Sequence, residues 1–288
     1  MKYLRVFPDA ATRDTVLANI NYGVLSYTEG IGIKIKAGES GPDYSEPFYV
    51  ENITETVETV RFKSNGAWHD VPIQYSTDKT NWELSEISSN TLELELNPGD
   101  KIYIRAEWCG GEEVTGVKIQ GASKIGGNIL SLLYYEDFVD QHVLAIDYNY
   151  IFSELFEEWS STSHTLIDAG DLLMPDSFVV PGGDGYNDYC FCGMFIDCTL
   201  LTAAPVLPAT TLNSGCYERM FSGCESLSEI TIYADDISAF NCLNDWLYGV
   251  ASEGQFHNLG TAIFDGGGSS GCPINWTADH PEYVIPLD

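Results

Sequence analysis

The carboxyl-terminal half of the chain contains an internal repeat with a fixed period of 26 residues. Two segments, beginning at Cys190 and at Cys216, retain the same apolar and cysteine positions, whereas the polar residues between these positions differ. A period of about 20 to 29 residues with fixed apolar positions predicts a leucine-rich-repeat solenoid, in which the matched residues stack in the core. The matched pairs are Cys190 and Cys216, Met194 and Met220, Phe195 and Phe221, Cys198 and Cys224, and Leu201 and Leu227.

A degenerate earlier copy of the repeat precedes these two segments. Leu155 and Phe156 occupy apolar repeat positions, and Trp159 falls where the later copies have a cysteine. An insertion over residues 179–188 separates this copy from the first clear repeat. The solenoid is therefore expected to be longer than two repeats and to end in a cap. The expected bounds are residues 148–240 for the solenoid and residues 241–288 for the carboxyl-terminal cap.

The segment before the repeats shows a different pattern, with a period of two. Short runs rich in β-branched, aromatic and leucine residues alternate with turn segments such as 64–66 and 97–100. This spacing predicts an antiparallel immunoglobulin-like β-sandwich over residues 45–135, and so a fold that is mainly β with short helices. Alternatively, Trp82 and Trp108 form an exposed surface for stacking sugars. The expected core side chains are those of Trp68, Tyr75, Trp82, Leu92, Leu94 and Leu96.

The first 36 residues predict a strand, a short helix and a second strand. Residues 3–7 form an apolar run that ends at Pro8, residues 10–18 contain helix formers, and residues 22–36 alternate between polar and apolar side chains. A segment of about 36 residues cannot bury a sizeable core alone. We therefore expect residues 1–36 to dock onto the rest of the chain or onto a partner, after which a glycine-containing linker leads into the β-rich region.

The charge balance limits the classes of partner. The chain has 13 Lys and Arg against 43 Asp and Glu, a net charge of −30, but 44% of its residues are hydrophobic. That hydrophobic fraction predicts a folded chain with an anionic surface, which would repel nucleic acids and anionic membranes. The sequence contains no apolar run long enough for a membrane span, and its start lacks the apolar run of a signal peptide. We therefore expect synthesis in a reducing cytosol, with the eight cysteines as free thiols.

The cysteines and the insertion contain the candidate site residues. The repeat register places the cysteines in the core, and the absence of a C-x-x-C pair or a histidine at ligand spacing disfavours zinc. Asp184 and Asp188 in the insertion offer oxygen ligands, so a bound cation is an alternative to a plain surface loop, which we favour. We therefore expect no resident metal and no cofactor.

Catalytic motifs are absent from the sequence. Glu157 and Glu158, like Asp235 and Asp236, are adjacent and should point apart, whereas a glycosidase needs two carboxyl groups that face each other across about 5 to 10 Å. The sequence has no nucleophile elbow, no zinc-protease motif and no phosphate-binding loop. We therefore expect a protein that is not an enzyme and has no catalytic residues, with carbohydrate hydrolysis as the less favoured alternative.

Several segments resemble those of a known family, in the order in which they occur. Cys216-Tyr217-x-x-Met220-Phe221-x-Gly223-Cys224 resembles the BspA-type leucine-rich repeats of gut Bacteroidales and their phages, and residues 242–256 and 271–277 resemble the ends of such arrays. Residues 75–106 resemble the β-sandwich module that commonly precedes them. The opening Tyr3-Leu4-Arg5-Val6-Phe7 is similar to amino-terminal pieces of virion proteins from crAss-like gut phages.

The resemblance implies a non-enzymatic bacteriophage virion protein, either a head fibre or a capsid or tail decoration. Residues 1–36 would then dock onto other virion proteins, and the solenoid would face outward and bind a glycan or protein of the bacterial surface. The protein would be made in the host cytoplasm and located on the virion in many copies or as a homo-oligomer. The alternative implied by the same family is a bacterial surface adhesin.

Overall fold

The computed structural model describes most of the chain from residue 42 to residue 279. The chain is mainly β, with 34% of its residues in strands and 4% in helices, which confirms the predicted fold class at this level. A single short α-helix, α1 (Ser131–Tyr134), and one 3₁₀ helix (Tyr135–Phe138) occur among the described residues. The structure describes residues 42–64, 71–87, 91–107, 117–145, 149–157, 165–179, 188–264 and 270–279, together with the backbones of the strands at 2–7, 25–28, 32–35 and 283–287.

Two sheets form from strands between residues 49 and 128 together with one strand from residues 168–173. The first is antiparallel and three-stranded, in the order β10-β5-β8, and the second has six strands in the order β13-β11-β4-β9-β6-β7. Side chains of Val60 and Leu96 from the first sheet and of Ile73 and Ile104 from the second are buried in one core. The strands are β4 (Tyr49–Glu51), β5 (Glu58–Ser64), β6 (Val71–Ser76), β7 (Glu83–Ile87), β8 (Thr91–Leu96), β9 (Lys101–Ala106), β10 (Val117–Gln120), β11 (Lys124–Asn128) and β13 (Asp168–Leu173).

Some of the aromatic residues expected in this core lie at its edge. Tyr75 is half-buried and its hydroxyl donates to Glu83, while Trp82 is half-buried and lies against the guanidinium of Arg105, 4.1 Å from the ring centre. The Trp82 side chain therefore packs on the outer face of the six-stranded sheet. Trp68 and Trp108 lie outside the described residues.

The repeat region shares a sheet and a core with the region before it. β13 pairs in parallel with β11, so the six-stranded sheet contains one strand from beyond residue 150. The connecting segment, residues 129–145, is held by Asn128, whose buried side-chain amide donates to the carbonyls of Tyr44, Phe138 and Gln141. The two regions therefore form one continuous hydrophobic core.

The repeat segments fold into four stacked coils, which we call the coil stack. They comprise residues 150–156, 189–197, 215–223 and 241–249. Equivalent residues of the last three coils are 26 residues apart, whereas the first and second coils are offset by 39 residues because the insertion lies between them.

Alternate backbone N–H groups of each coil donate to the next coil. The Phe195 N–H donates to the Met220 carbonyl at 2.9 Å, and the equivalent N–H of Phe221 donates to the Trp246 carbonyl at 2.9 Å. The remaining N–H groups bond within the coil, three residues back, as the Cys198 N–H does to Phe195. Each coil therefore has an edge of N–H groups that faces the next coil and an edge of carbonyls that faces the previous one.

Every fourth residue of a coil has a left-handed backbone. In the second coil these residues are Tyr189, Gly193 and Asp197, and the third and fourth coils repeat the pattern at Gly215, Arg219 and Gly223 and at Asn241, Asp245 and Gly249. Glycine, asparagine and aspartate adopt this conformation at the lowest cost, which accounts for their frequency at these positions.

Parallel strands line a second side of the stack. β15 (Glu229–Ile232), β16 (Gly254–Asn258) and β17 (Trp276–Asp279) form a parallel sheet, with Glu229 opposite Gln255 at the repeat distance of 26 residues. Isolated parallel bridges, such as Leu207 to Ile232, extend this pairing toward β13. A separate two-stranded parallel pair joins β12 (Val143–Leu144) to β14 (Ser177–Phe178).

The two ends of the chain pair with each other. β1 (Lys2–Phe7) is antiparallel to β18 (Tyr283–Leu287) and parallel to β2 (Leu25–Thr28), which forms a hairpin with β3 (Gly32–Ile35). The single strand expected over residues 22–36 is thus two strands, and the expected helix over residues 10–18 lies outside the described residues. Among the helices that the structure describes, none is long and apolar enough to cross a membrane.

Candidate functional site

The ten residues predicted to form the repeat core are all fully buried. A stack of phenylalanine rings passes through this core. The ring centre of Phe195 lies 5.3 Å from those of Phe156 and Phe221, and the ring centre of Phe156 lies 6.1 Å from that of Phe48, which directly precedes β4 of the six-stranded sheet. The stack therefore continues from the two-sheet region into the coils. The buried residues are Cys190, Met194, Phe195, Cys198, Leu201, Cys216, Met220, Phe221, Cys224 and Leu227.

The cysteine side chains have structural contacts. The Cys198 thiol donates to the Phe156 carbonyl at 3.2 Å, and the equivalent thiol of Cys224 donates to the Phe195 carbonyl at 3.1 Å. Burial raises the pKa of the Cys190 and Cys216 thiols well above its usual value, and raises that of Cys192 to about 11. These thiols are therefore protonated at neutral pH and are poor nucleophiles and metal ligands.

Of the two weak metal candidates, the described part of the chain includes only Asp188. Asp188 contributes its backbone to the coil stack, since its N–H donates to the Asn149 side chain at 3.0 Å and its carbonyl accepts from Tyr150. Asp184 lies outside the described residues. No group of three His, Cys, Asp or Glu side chains that could hold a metal occurs among the residues that the structure describes.

The adjacent carboxylates Asp235 and Asp236 have separate roles. Asp235 accepts from the backbone and hydroxyl of Thr261, both at 2.8 Å, and so joins two successive turns of the stack. Asp236 accepts from the N–H of Ser238, and the hydroxyl and N–H of Ser238 lower the pKa of this carboxyl. Two carboxylates with separate hydrogen-bonding roles of this kind stabilise turns.

A partly buried ion-pair cluster joins the coil stack to the three-stranded sheet. Lys118 on β10 pairs with Glu154 of the first coil at 3.2 Å and, at a shorter distance, with Glu157, which directly follows that coil. The backbone supports the same contact, because the Ile119 N–H donates to the Leu155 carbonyl at 2.8 Å. Sequence reasoning missed this cluster because Lys118 and Glu157 are 39 residues apart and no local pattern links them.

Glu157 has the most unusual protonation behaviour of this cluster. Only 8% of its side chain is exposed, and burial raises its pKa to about 7 against the opposing attraction of Lys118, while the Glu154 carboxylate raises it further. A carboxylate with a raised pKa can serve acid–base chemistry, but here it shares a lysine with a second carboxylate at a packing junction. The arrangement therefore fixes the first coil against β10.

The raised pKa of Glu157 predicts a pH-dependent stability. Because folding favours the protonated form, the contribution of Glu157 is complete below its ordinary pKa near 4.5 and is lost as pH rises through about 7. The free energy of unfolding of the wild type should therefore fall more between pH 4.5 and 7.5 than that of Glu157→Gln, as measured by urea denaturation. Glu154→Gln removes one of the groups that raise this pKa, so its slope should lie between those of the wild type and of Glu157→Gln. Equal slopes for the wild type and Glu157→Gln would contradict this assignment.

Aromatic and basic side chains alternate across the outer face of the six-stranded sheet. The Lys101 ammonium lies 3.8 Å from the centre of the Tyr49 ring, and that of Lys79 lies 4.7 Å from the centre of the Tyr103 ring. Each cation also pairs with a carboxylate, as Lys101 does with Glu51 at 3.1 Å. Because these charges are already neutralised within the chain, this face is suited to holding the sheet rigid rather than to binding a polyanion.

The last coil is the most exposed apolar part of the coil stack. Phe240, which directly precedes this coil, and Tyr248 within it are 69% and 72% exposed, and Ile263 and Ile274 of the segment that follows are also largely exposed. Within that segment Phe264 contacts Trp246, whose indole N–H donates to the Gly271 carbonyl at 3.3 Å. No signal in the sequence marked these residues, because Phe240 and Tyr248 occupy repeat positions without a fixed residue type.

Scans against known protein families, curated proteins and solved structures each found no match.

Proposed function

We propose that the protein is a non-enzymatic bacteriophage virion structural protein, a head fibre or a capsid or tail decoration. In this proposal the two-sheet region is an immunoglobulin-like sandwich and the coil stack is a leucine-rich-repeat solenoid that is exposed for adhesion to the host surface. The observation that carries the proposal is the rigid attachment of the coil stack. A shared sheet, a continuous ring stack and the Lys118 cluster all fix it to the two-sheet region.

Rigid attachment supports a role in display. A solenoid presents a long surface whose geometry is set by its core, and a mobile linker would let that surface fold back onto the particle. Here the first coil is held by β10 and the strand β13 belongs to the six-stranded sheet, so the coils project in a fixed direction from the two-sheet region. Many weak contacts of such an arm add up when the protein is present in many copies.

The distribution of charge supports an exposed position for the coils. Residues 125–288 contain 24 of the 43 acidic residues but only one of the 13 basic residues, Arg219. Such a surface is strongly solvated and repels its own copies, which limits aggregation on a crowded particle. The net negative charge of the chain, −23 of −30, is therefore concentrated in this part because basic residues are nearly absent from it, and the proposal places the coils of this part outward.

The paired chain termini support a docking role. The strands at the two ends of the chain form one sheet, in which β1 lies between β18 and β2. A small sheet is stabilised by burial of one face against another surface. In this proposal that surface belongs to other virion proteins, and the docking unit contains the carboxyl-terminal strand as well as residues 1–36.

Electron microscopy of phage particles tests the proposal. Particles made without this gene should lack a peripheral density, and the density should return when the gene is supplied in trans. The gene should also lie beside portal and capsid genes. Unchanged density would contradict a virion role, a longer reading frame with an upstream export signal would indicate a bacterial adhesin, and cleavage in a glycan screen would indicate an enzyme.

A further inference from the structure

The six-stranded sheet ends differently at its two borders. At one border, β13 continues the pairing into the repeat region through a parallel bridge from Asp168 to Ala203. At the other border lies β7, which pairs within the described chain only with β6. Leu84 in the middle of β7 is 60% exposed, so this border is accessible to solvent. An unpaired strand edge of this kind can pair with a strand of another chain.

The direction of the backbone groups of β7 follows from the pairing of β6 with its neighbours. The Pro72 carbonyl accepts from the N–H that directly follows β9, so this residue directs its backbone toward β9. Successive residues of a strand direct their N–H and C=O groups to opposite sides, so Ile73 directs its own toward its β7 partner, Ser85. Leu84 and Glu86 therefore direct theirs away from the sheet, and no described residue bonds to the backbone groups of Leu84.

The outer edge of β8, on the same side of the two-sheet region, is protected by charge. The N–H of Ile119 on β10 is directed at the first coil, so the same alternation, followed through β5, directs the backbones of Glu93 and Glu95 to the outer edge of β8. Both residues are exposed. In either register that overlaps most of the strand, an antiparallel pair of β8 strands would set acidic residues opposite each other, which destabilises the pair. β7 has Leu84 at such a position, so its edge lacks this protection.

A second copy of this chain fits the edge of β7. When two β7 strands run antiparallel about a two-fold axis at Ser85, Leu84 of one copy lies opposite Glu86 of the other, and both residues direct their backbones to the shared edge. Each such pair exchanges both of its N–H···O bonds. The register also sets Glu83 opposite Ile87, so no acidic residue lies directly opposite another.

The position of the coil stack favours the same partner. The coils are attached at the far side of the two-sheet region, through β13 at the opposite border of the six-stranded sheet and through Lys118 on β10. Residues 150–279 contain 18 of the 43 acidic residues and only one basic residue. A dimer formed through β7 sets these acidic segments toward its opposite ends, where the repulsion between the two copies is smallest.

We propose that two copies of this chain form a dimer through their β7 edges. The two six-stranded sheets then join into one continuous sheet, and the same surface of each copy contacts the other about a two-fold axis. The coil stacks extend from the two ends of this dimer. The inference depends on the two-sheet region alone and goes beyond the proposed virion role.

Analytical ultracentrifugation of the full-length protein tests the proposal. At about 100 µM protein and about 0.5 M salt, which screens the net charge, the wild type should sediment as a dimer of the 31.8 kDa chain. Leu84→Pro removes an N–H that bonds only across the dimer edge, so it should raise the dissociation constant of the dimer at least about tenfold. Its circular dichroism spectrum should stay that of the wild type. Glu95→Pro, the control, removes the equivalent N–H from the edge of β8 and should dimerise like the wild type.

Cysteine cross-linking locates the contact without a proline. Ser85 of one copy lies opposite Ser85 of the other at a position without hydrogen bonds, where Cα atoms approach to about 4.5 Å, within the range that a disulfide spans. With Cu²⁺-phenanthroline as the oxidant that takes up the two electrons, Ser85→Cys should form a covalent dimer. Gln255→Cys, at an exposed position of β16, should not.

Three results would each overturn the proposal. They are a wild type that stays monomeric, a Leu84→Pro variant that dimerises like the wild type, and an Ser85→Cys variant that does not cross-link. Because none of these measurements uses particles or cells, their failure leaves the virion role standing, and failure of the particle experiment leaves the dimer standing.

Discussion

Replacement of Phe195 by alanine is expected to lower the free energy of unfolding by about 3 to 5 kcal/mol. The ring is fully buried and stacks 5.3 Å from Phe156 on one side and from Phe221 on the other. Truncation removes both stacking contacts and leaves a cavity that the hydrogen bonds between coils prevent from closing. Urea denaturation followed by circular dichroism measures the effect as a fall in the transition midpoint.

The control for this variant is an equally large truncation at an exposed position. Phe240→Ala removes the same side chain from the edge of the fourth coil, where 69% of it is exposed, and should change stability by no more than about 0.5 kcal/mol. If Phe195→Ala had a similarly small effect, the ring stack would not be a source of stability, and the rigid attachment of the coils would lose its main support.

Replacement of Gly223 by alanine is expected to cost about 2 to 5 kcal/mol in the free energy of unfolding. Gly223 has φ of +81°, where a side chain is strained by about 1 to 2 kcal/mol. In addition, a Cβ here would overlap the Asp197 carboxylate and lie 3.2 Å from the Asp197 Cα in the coil above. Overpacking of this kind adds about 1 to 3 kcal/mol because the coils cannot separate without losing backbone hydrogen bonds.

Gly249 is the matched position one repeat later and isolates the packing part of this effect. Its φ of +74° imposes the same backbone strain, but the nearest atom to an added Cβ is 3.6 Å away. Gly249→Ala should therefore cost only about 1 to 2 kcal/mol. Thermal unfolding of the two variants in parallel measures the difference, and equal losses would show that the coils are not packed as closely as the structure indicates.

The repeat could be found in the sequence because the coils stack on one another, so equivalent positions in successive coils require side chains of similar size and polarity. Phe195 and Phe221 occupy equivalent positions in successive coils, so a residue type that fits one coil also fits the next. The alternation in β9 is equally local, since side chains 101, 103 and 105 face outward and 102, 104 and 106 face the core. Patterns of this kind predict which residues are buried.

Contacts between distant segments could not be found in the same way. The charge cluster of Lys118, Glu154 and Glu157 depends on the direction in which β10 meets the first coil. The pairing of β1 with β18 joins the two ends of the chain, and both strands contain ordinary apolar runs that fit many partners. Trp82 was expected in the core but lies against Arg105. The sequence could not decide between these positions, because an aromatic ring is stabilised both by burial in a core and by contact with a cation.

The sequence by itself determined the β character of the chain, the 26-residue period and the residues that fill the repeat core, because these depend on periodicity along the chain. Only the tertiary structure decided that β13 completes the six-stranded sheet, that the coils share its core, and that Phe240 and Tyr248 are exposed at the last coil. These features arise where a periodic pattern stops or meets a different element, and at such places the neighbouring residue is set by topology rather than by the repeat.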